Sequence, residues 1–335
     1  MPDDSLVNDA WFSSIPFPSF PLVHAQGSLG RRHARVAHAW RTRHAIPGEG
    51  LTLADDKLDG MGISVRFYED PRSFLAVAEE FLLSRAVLHN LVLTIVDTRL
   101  AQPEPGRYWV AFRDSHVVGL ALQSPLTFPA LVVPMEAEVA GALVDAITDG
   151  GIVLPGVNGE VATAASFAGR WTERRRSGAV PIQGFRIYEL DGLKEMTPVD
   201  GQLRKGDHGD RELAVSWLQK FYTETHMHSV DAESFIDAAI AAERLWLWDI
   251  GGIVSMAVSS KPIAGVVRLS AVYTPKTHRG CGYAGACVHA VTSLLTDAGY
   301  RCILYTDLGN PTSNSIYRKI GYKAVGEAIL YRFES

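Results

Sequence analysis

The chain of 335 residues is 47% hydrophobic and 21% charged, with a formal net charge of −5. That length allows two substantial cores, while the mild acidity gives no electrostatic basis for nucleic-acid binding. No apolar run approaches the roughly twenty residues of a membrane span, and the three cysteines, Cys281, Cys287 and Cys302, form no disulfide framework, so a reducing, cytoplasmic setting is expected.

Residues 1–60 carry scattered Pro, Ser and Gly without sustained periodicity, which predicts a poorly ordered tail. The basic patch Arg31-Arg32-His33-Ala34-Arg35 is similar to a fragment of a transit peptide, but Asp3, Asp4 and Asp9 precede it and no cleavage pattern follows. Fold-like patterning begins just after Met61, which makes Met61 a candidate natural start.

Residues 61–190 read as a first domain. Ser64 to Tyr68 predicts a strand and Pro71 to Arg85 an amphipathic helix. Tyr108 to Phe112, a polar turn at Arg113 to His116, and Val117 to Leu122 predict a hairpin. The apolar run Ala130 to Pro134 leads directly into Met135-Glu136-Ala137-Glu138-Val139, a helix start carrying acids and no glycine turn. Gly184 to Tyr188 predicts the closing strand, and Asp191 to Gly201 a short linker.

Residues 197–335 repeat this design. Glu212 to Tyr222 reads as a helix, followed by Glu224, His226 and His228. Leu245 to Trp248, a turn at Asp249 to Gly252, and Ile253 to Val258 form a second hairpin pattern. Trp246 and Trp248 line either the core or a cleft, with core packing the commoner use of alternating Trp in a strand. Ala271 to Pro275 echoes Ala130 to Pro134, and Ala328 to Arg332 echoes Gly184 to Tyr188. A period of about 140 residues predicts two similar domains rather than one large one.

The second copy adds chemistry. A β-branched strand, Val266 to Tyr273, runs into Arg279-Gly280-Cys281-Gly282-Tyr283-Ala284 and then into the helical pattern from Gly285 to Leu295. Unpaired N–H groups of a first helical turn, the helix dipole and the absence of side chains at the glycines together suit a diphosphate. Arg279 can add a charge-assisted bond. The spacing is neither a dinucleotide fingerprint nor a P-loop. Acids at the helix start of the first copy would repel such a ligand. Further on come the strand Cys302 to Asp307, the helix-starting Asn310-Pro311, the run to Tyr317-Arg318-Lys319-Ile320-Gly321-Tyr322, and a last strand, Lys323 to Phe333.

Those motifs together resemble the acetyl-CoA-binding core of the GNAT N-acetyltransferase superfamily. Arg279, Gly282 and Ala284 match its pyrophosphate loop; Asn310, Tyr317, Gly321 and Tyr322 match its following helix. The likeness is clear over the C-terminal part of the chain and weakens upstream toward Pro198. It implies two tandem domains of mixed α/β architecture, each a mixed sheet flanked by helices, the first degenerate. It also implies two parallel strands, Leu269 to Thr274 and Ile303 to Asp307, splayed to hold acetyl-CoA as co-substrate. The cofactor residues so implied are Val272, Tyr273, Thr274, Arg279, Gly280, Cys281, Gly282, Tyr283, Ala284, Asn310 and Ser313.

Tyr317 matches the usual general acid, or is a half-buried helix aromatic; Asn310 bonds the cofactor, caps the helix, or both. A base is sought among His226 with its neighbours His228 and Glu224, or at Asp307, although a solvated helix end explains the first cluster as well. His226 and His228, two residues apart, do not share a helical face, so no metal is expected. Cys281 sits at a helix start that lowers thiol pKa values, but direct transfer needs no covalent enzyme intermediate. The expected function is acetyl transfer to a primary amine of a small molecule or peptide by a monomer or homodimer; the alternative is a non-catalytic acyl-CoA-binding module. No nucleic-acid or membrane partner is expected.

Overall fold

The computed structural model describes residues 62–225 and 231–334. The expected tail, the basic patch, and His226 and His228 lie outside the described residues. The described chain divides into two compact units, one comprising residues 62–183 with 328–334 and the other residues 184–327. These are not the sequence boundaries of 190 and 197: the division falls inside one strand of each half.

In the N-terminal unit, β1 (Ile63–Tyr68) is followed by α1 (Pro71–Ser84) and α2 (Asn90–Ala101). Asp70 caps α1 by accepting from the Ser73 N–H at 2.9 Å, and Pro71 opens the first turn, where its missing N–H costs nothing. Phe74, Leu75, Ala78 and Leu82 form the buried stripe. β2 (Arg107–Arg113) and β3 (His116–Gln123) close through Asp114 and Ser115, both left-handed at φ 48° and 65°, the backbone that matches strand twist in a two-residue hairpin. β4 (Ala130–Val132), α3 (Ala137–Asp149), β5 (Gly156–Glu160) and α4 (Val161–Arg175) complete it. β1 to β4 are antiparallel neighbours and β4 pairs parallel with β5. The outer neighbour of β5 is the end of β12 (Tyr322–Phe333), from Ala328 opposite Glu160 to Arg332 opposite Gly156. Trp109, Leu143, Phe167 and Trp171 anchor the core between the sheet and α3 and α4.

In the C-terminal unit the order is β7 (Gln202–Lys205), α5 (Arg211–Thr225), α6 (Ala232–Ala241), β8 (Leu245–Asp249), β9 (Ile253–Ser259), β10 (Val266–Tyr273), α7 (Tyr283–Asp297), β11 (Arg301–Asp307) and α8 (Pro311–Ile320). This repeats the element order of the first half. β7 to β10 are antiparallel, β10 is parallel to β11, and β11 pairs antiparallel with Phe185 to Glu189 of β6 (Ala179–Leu190). One face carries α5 and α6 over Leu245, Met256 and Tyr273; the other carries α7 and α8 over Tyr188, Leu269 and Leu304. Trp246 and Trp248 are buried on the second face, their indole N–H groups donating to Ser259 Oγ and the Asp200 carbonyl, each at 2.9 Å. They are core, not cleft.

The segment Asp191 to Gly201 is more than a tether. The Lys194 N–H donates to the Ile320 carbonyl at 2.9 Å, and Met196 and Val199 join the clusters around α7.

Candidate active site

β10 and β11 are hydrogen-bonded partners only from Val266–Arg301 to Leu269–Leu304. Beyond that point β10 runs on to Tyr273 and β11 to Asp307 without pairing to each other. The cause is visible on the far side of β10, where the register with β9 shifts between Ser270 and Tyr273. At that bulge Ala271 takes φ 49°, a left-handed conformation that a non-glycine residue adopts only when its surroundings enforce it. The bulge bends β10 away from β11 and leaves backbone donors and acceptors facing the gap.

At the upper end of β10 stands the glycine loop. Gly280 and Gly282 hold φ 83° and 85°, and Gly282 is the N-cap of α7 without any side-chain capping bond. The first intrahelical donor is the Ala286 N–H, to the Gly282 carbonyl at 3.0 Å. The N–H groups of Tyr283, Ala284 and Gly285 therefore have no intrahelical acceptor, and a Cβ on Gly280 would meet nothing within 4 Å. This is an anion cradle of backbone donors at a helix N-terminus. A pyrophosphate fits it.

Arg279 does not simply reach outward. Its Nε donates to the Thr274 carbonyl at 2.8 Å and its Nη2 to Glu224 Oε2 at 2.6 Å, with the guanidinium 5.7 Å from the centre of the Tyr273 ring. The Tyr273 hydroxyl donates to Glu224 Oε1 at 3.2 Å. Partial burial opposes ionisation of Glu224, but the hydrogen bond and charge of Arg279, with Tyr273 and Lys276, together hold its carboxyl below the usual range. Glu224 thus occupies the arginine assigned by sequence to a phosphate. Thr274 Oγ1 donates to Ser255 Oγ at 2.9 Å, and Val272 packs toward α7. Tyr283 packs beside it, while Cys281 is exposed. Burial pushes the other two thiols up, Cys287 to about 12 and Cys302 to about 11, which keeps both as protonated core groups.

Asn310 is the N-cap of α8, its Oδ1 accepting from the Ser313 N–H at 3.0 Å, so that pair serves the cap. Asp307 is drawn into the same turn: the Gly309 N–H donates to its Oδ1 at 2.6 Å. Tyr317, 8% exposed, lies between Tyr188 and Tyr322 at ring distances of 6.3 and 6.2 Å. Burial pushes its phenol up to about 12, so it holds its proton at neutral pH. Sequence reading passed over Asn314. This buried amide accepts from the Tyr188 hydroxyl at 3.0 Å and donates to the carbonyls of Asp307 and Asn310 at 3.0 and 2.7 Å. It locks the end of β11 to α8. Its place one turn after Asn310 was the available signal.

Among the described residues no cluster of His, Cys, Asp and Glu could hold a metal, and no helix is long and apolar enough to cross a membrane.

A mixed sheet opened by a bulge, with an uncapped glycine-led helix at its mouth, defines a GNAT-like fold. The family model described as FR47-like protein matches residues 261–330, which span the open strands and both flanking helices. A GNAT-family acetyltransferase from Colwellia psychrerythraea aligns at 10% identity over 81% of this chain and 100% of its own, with a TM-score of 0.55. A GCN5-related N-acetyltransferase from Sphaerobacter thermophilus aligns at 15% identity over 81% and 95%, with a TM-score of 0.52. A Drosophila protein aligns at 11% over 82% and 99%, also with 0.55. At such identities the likeness is one of fold. No curated protein matches the chain.

Proposed function

We propose that the chain is an acyl-CoA-dependent N-acyltransferase, with acetyl as the default acyl group and a primary amine as acceptor. In this reading the N-terminal unit is a degenerate copy that binds no acetyl-CoA in the usual way. The observation that carries it is the coincidence, in one unit, of the opened β10–β11 pair with the uncapped start of α7. The β10 edge would hold the amides of the pantetheine arm, and the Tyr283–Gly285 donors the pyrophosphate.

The amine nitrogen attacks the thioester carbon, the carbon–sulfur bond breaks, and its electron pair leaves on sulfur. One proton must leave the nitrogen and one must reach the sulfur. Tyr317 is proposed to supply the second, being protonated at neutral pH. His226 is proposed to accept the first, because an imidazole titrates near pH 6.5, whereas Glu224 is held by Arg279 and Asp307 by the Gly309 N–H. The reading places the chemistry in a reducing cytoplasm and in a monomer or homodimer.

The burial of Tyr317 among tyrosines favours one rival: an acyl-CoA-binding module in which Tyr317 is packing alone. Acetyl-CoA titration and amine-dependent CoA release, measured on wild type and Tyr317→Phe, separate the two. The enzyme predicts micromolar binding in both proteins and turnover lowered about 100-fold or more in the variant. Binding without amine-stimulated CoA release in wild type would establish the module.

A further inference from the structure

Arg268 lies in β10, one residue before β10 and β11 part. Its neighbour Leu269 packs with Val288 and Tyr317 on the α7–α8 side. Strand alternation therefore turns Arg268 to the α5–α6 face, the face on which Ala271 and Tyr273 pack after the bulge. The side chain is 4% exposed.

Arginine is almost never buried to this degree unless it is paired. Among the described residues the polar side chain beside it is Tyr305, which hydrogen-bonds the guanidinium and whose ring centre lies 5.5 Å from its carbon, while Arg268 Nη1 has no hydrogen-bond partner. Carboxylates near the open strand ends are engaged elsewhere: Glu224 with Arg279, Glu189 with Arg301, and Asp307 with the Gly309 N–H. Tyr305 itself is only half-buried. A desolvated guanidinium with Tyr305 on one side, its Nη1 unpartnered and no carboxylate ion-paired with it among the described residues, thus stands beside the strand opening, next to a ring that is only half-buried. The shape complementary to it is a carboxylate, which a guanidinium grips with two parallel bonds.

Resting on the acyltransferase reading, we propose that Arg268 selects the acceptor: it binds the carboxylate of an amine that carries both groups a few bonds apart, as an amino acid does. The amine then lies at the strand opening, where the thioester carbon is placed by that reading. Tyr305 forms the floor of the same subsite, its ring face against the guanidinium. A salt-bridge site of this kind discriminates strongly, because a neutral analogue leaves the buried cation without a counter-charge.

The test uses the full chain with acetyl-CoA and a panel of free amino acids, each beside its carboxamide and its decarboxylated amine, with CoA release followed by chromatography. At least one amino acid is expected to exceed both neutral partners in kcat/KM by about 100-fold or more. Arg268→Gln should collapse that ratio to a few-fold while acetyl-CoA affinity stays unchanged, and Arg268→Lys should retain part of it. Neutral amines reacting as well as the acids in wild type would overturn the inference, as would an undiminished ratio in Arg268→Gln. The wild-type ratio decides even if the glutamine variant does not fold. Acetyl-CoA binding with no response to any amine would instead remove the acyltransferase reading beneath it.

Discussion

Strands β4 and β5 of the N-terminal unit and β10 and β11 of the C-terminal unit are each a parallel pair joined through one helix, at the same point in the element order. β4 has three residues, and all three pair with β5: Ala130 with Val157, Leu131 with Asn158 and Val132 with Gly159. A Cβ on Gly159 would come within 2.3 Å of Val132 Cγ2, so the pair is closed side by side. β10 has eight residues, of which only the first four pair with β11 before the bulge turns the rest away. The helix starts differ as well. Neither start has a side-chain cap, but α3 begins beside Glu136 and Glu138, both bound to Arg113, whereas α7 begins at Gly282 with no acid in its first turn. Among the described residues the parallel pair stands open in the half where a bulge and a glycine-led helix coincide.

Ala284→Glu attacks the open side of this comparison most directly. An acid in the first helical turn favours the helix dipole and spares the fold, but it opposes a pyrophosphate. Acetyl-CoA affinity is expected to fall by about 100-fold or more in calorimetric titration, converted from the roughly 3 kcal/mol of lost and repulsive charge contacts. Glu138→Ala in the closed pair should add no second equivalent of binding, and a stoichiometry of two would break the comparison.

Next in size is Ala271→Val. A β-branched side chain at φ 49° is strained whatever the space around it, at a cost of about 1–3 kcal/mol. A drop in melting temperature with weaker cofactor binding is expected; an unchanged melting temperature would mean the bulge does not depend on that conformation.

Glu224→Gln should tighten acetyl-CoA binding a few-fold, since it releases Arg279 toward the phosphate. The lowered carboxyl pKa gives the sign for stability: the contribution of this pair is complete above the unfolded value of about 4.3 and is lost as pH falls through the folded one. Thermal melts between pH 6 and about 3 should therefore fall less steeply in the variant than in wild type. Weaker binding in the variant would instead give Glu224 a direct part in holding the cofactor. Smallest of all, Arg113→Ala removes two exposed ion pairs from the closed side and should leave the melting temperature within about a degree of wild type.

Much of this was legible in the residues. β10 starts and stops where its β-branched run does, Asn310 caps the helix that Pro311 opens, and both hairpins turn at their polar clusters. α4 was passed over despite a periodic stripe of Ala164, Phe167, Ala168 and Trp171, but two other missed elements lacked the periodicity that makes an element readable. α2 is buried nearly all round and so shows no apolar stripe, and β5 spells Gly-Val-Asn-Gly-Glu, a composition of turns. At the site, the loop glycines announced themselves, but the grip of Glu224 on Arg279 joins residues far apart in sequence and has no local signature. Nor did Arg268 stand out, since an arginine within an apolar strand reads as an exposed face until its burial is seen. The same holds for the closing strands. Gly184 to Tyr188 and Ala328 to Arg332 each look like the end of their own half, and only strand pairing reveals that each completes the other unit.

That last feature sets an order of events during synthesis. The unit made first needs Ala328 to Phe333, made after all the other described strands, before β5 has its second neighbour. Until then β5 is a bare edge, open to pairing with other chains, and domain-by-domain folding from the N-terminus stalls one strand short. The unit made last, by contrast, finds Gly184 to Leu190 already waiting. Termination just before Ala328 would therefore injure the half of the protein that was made first.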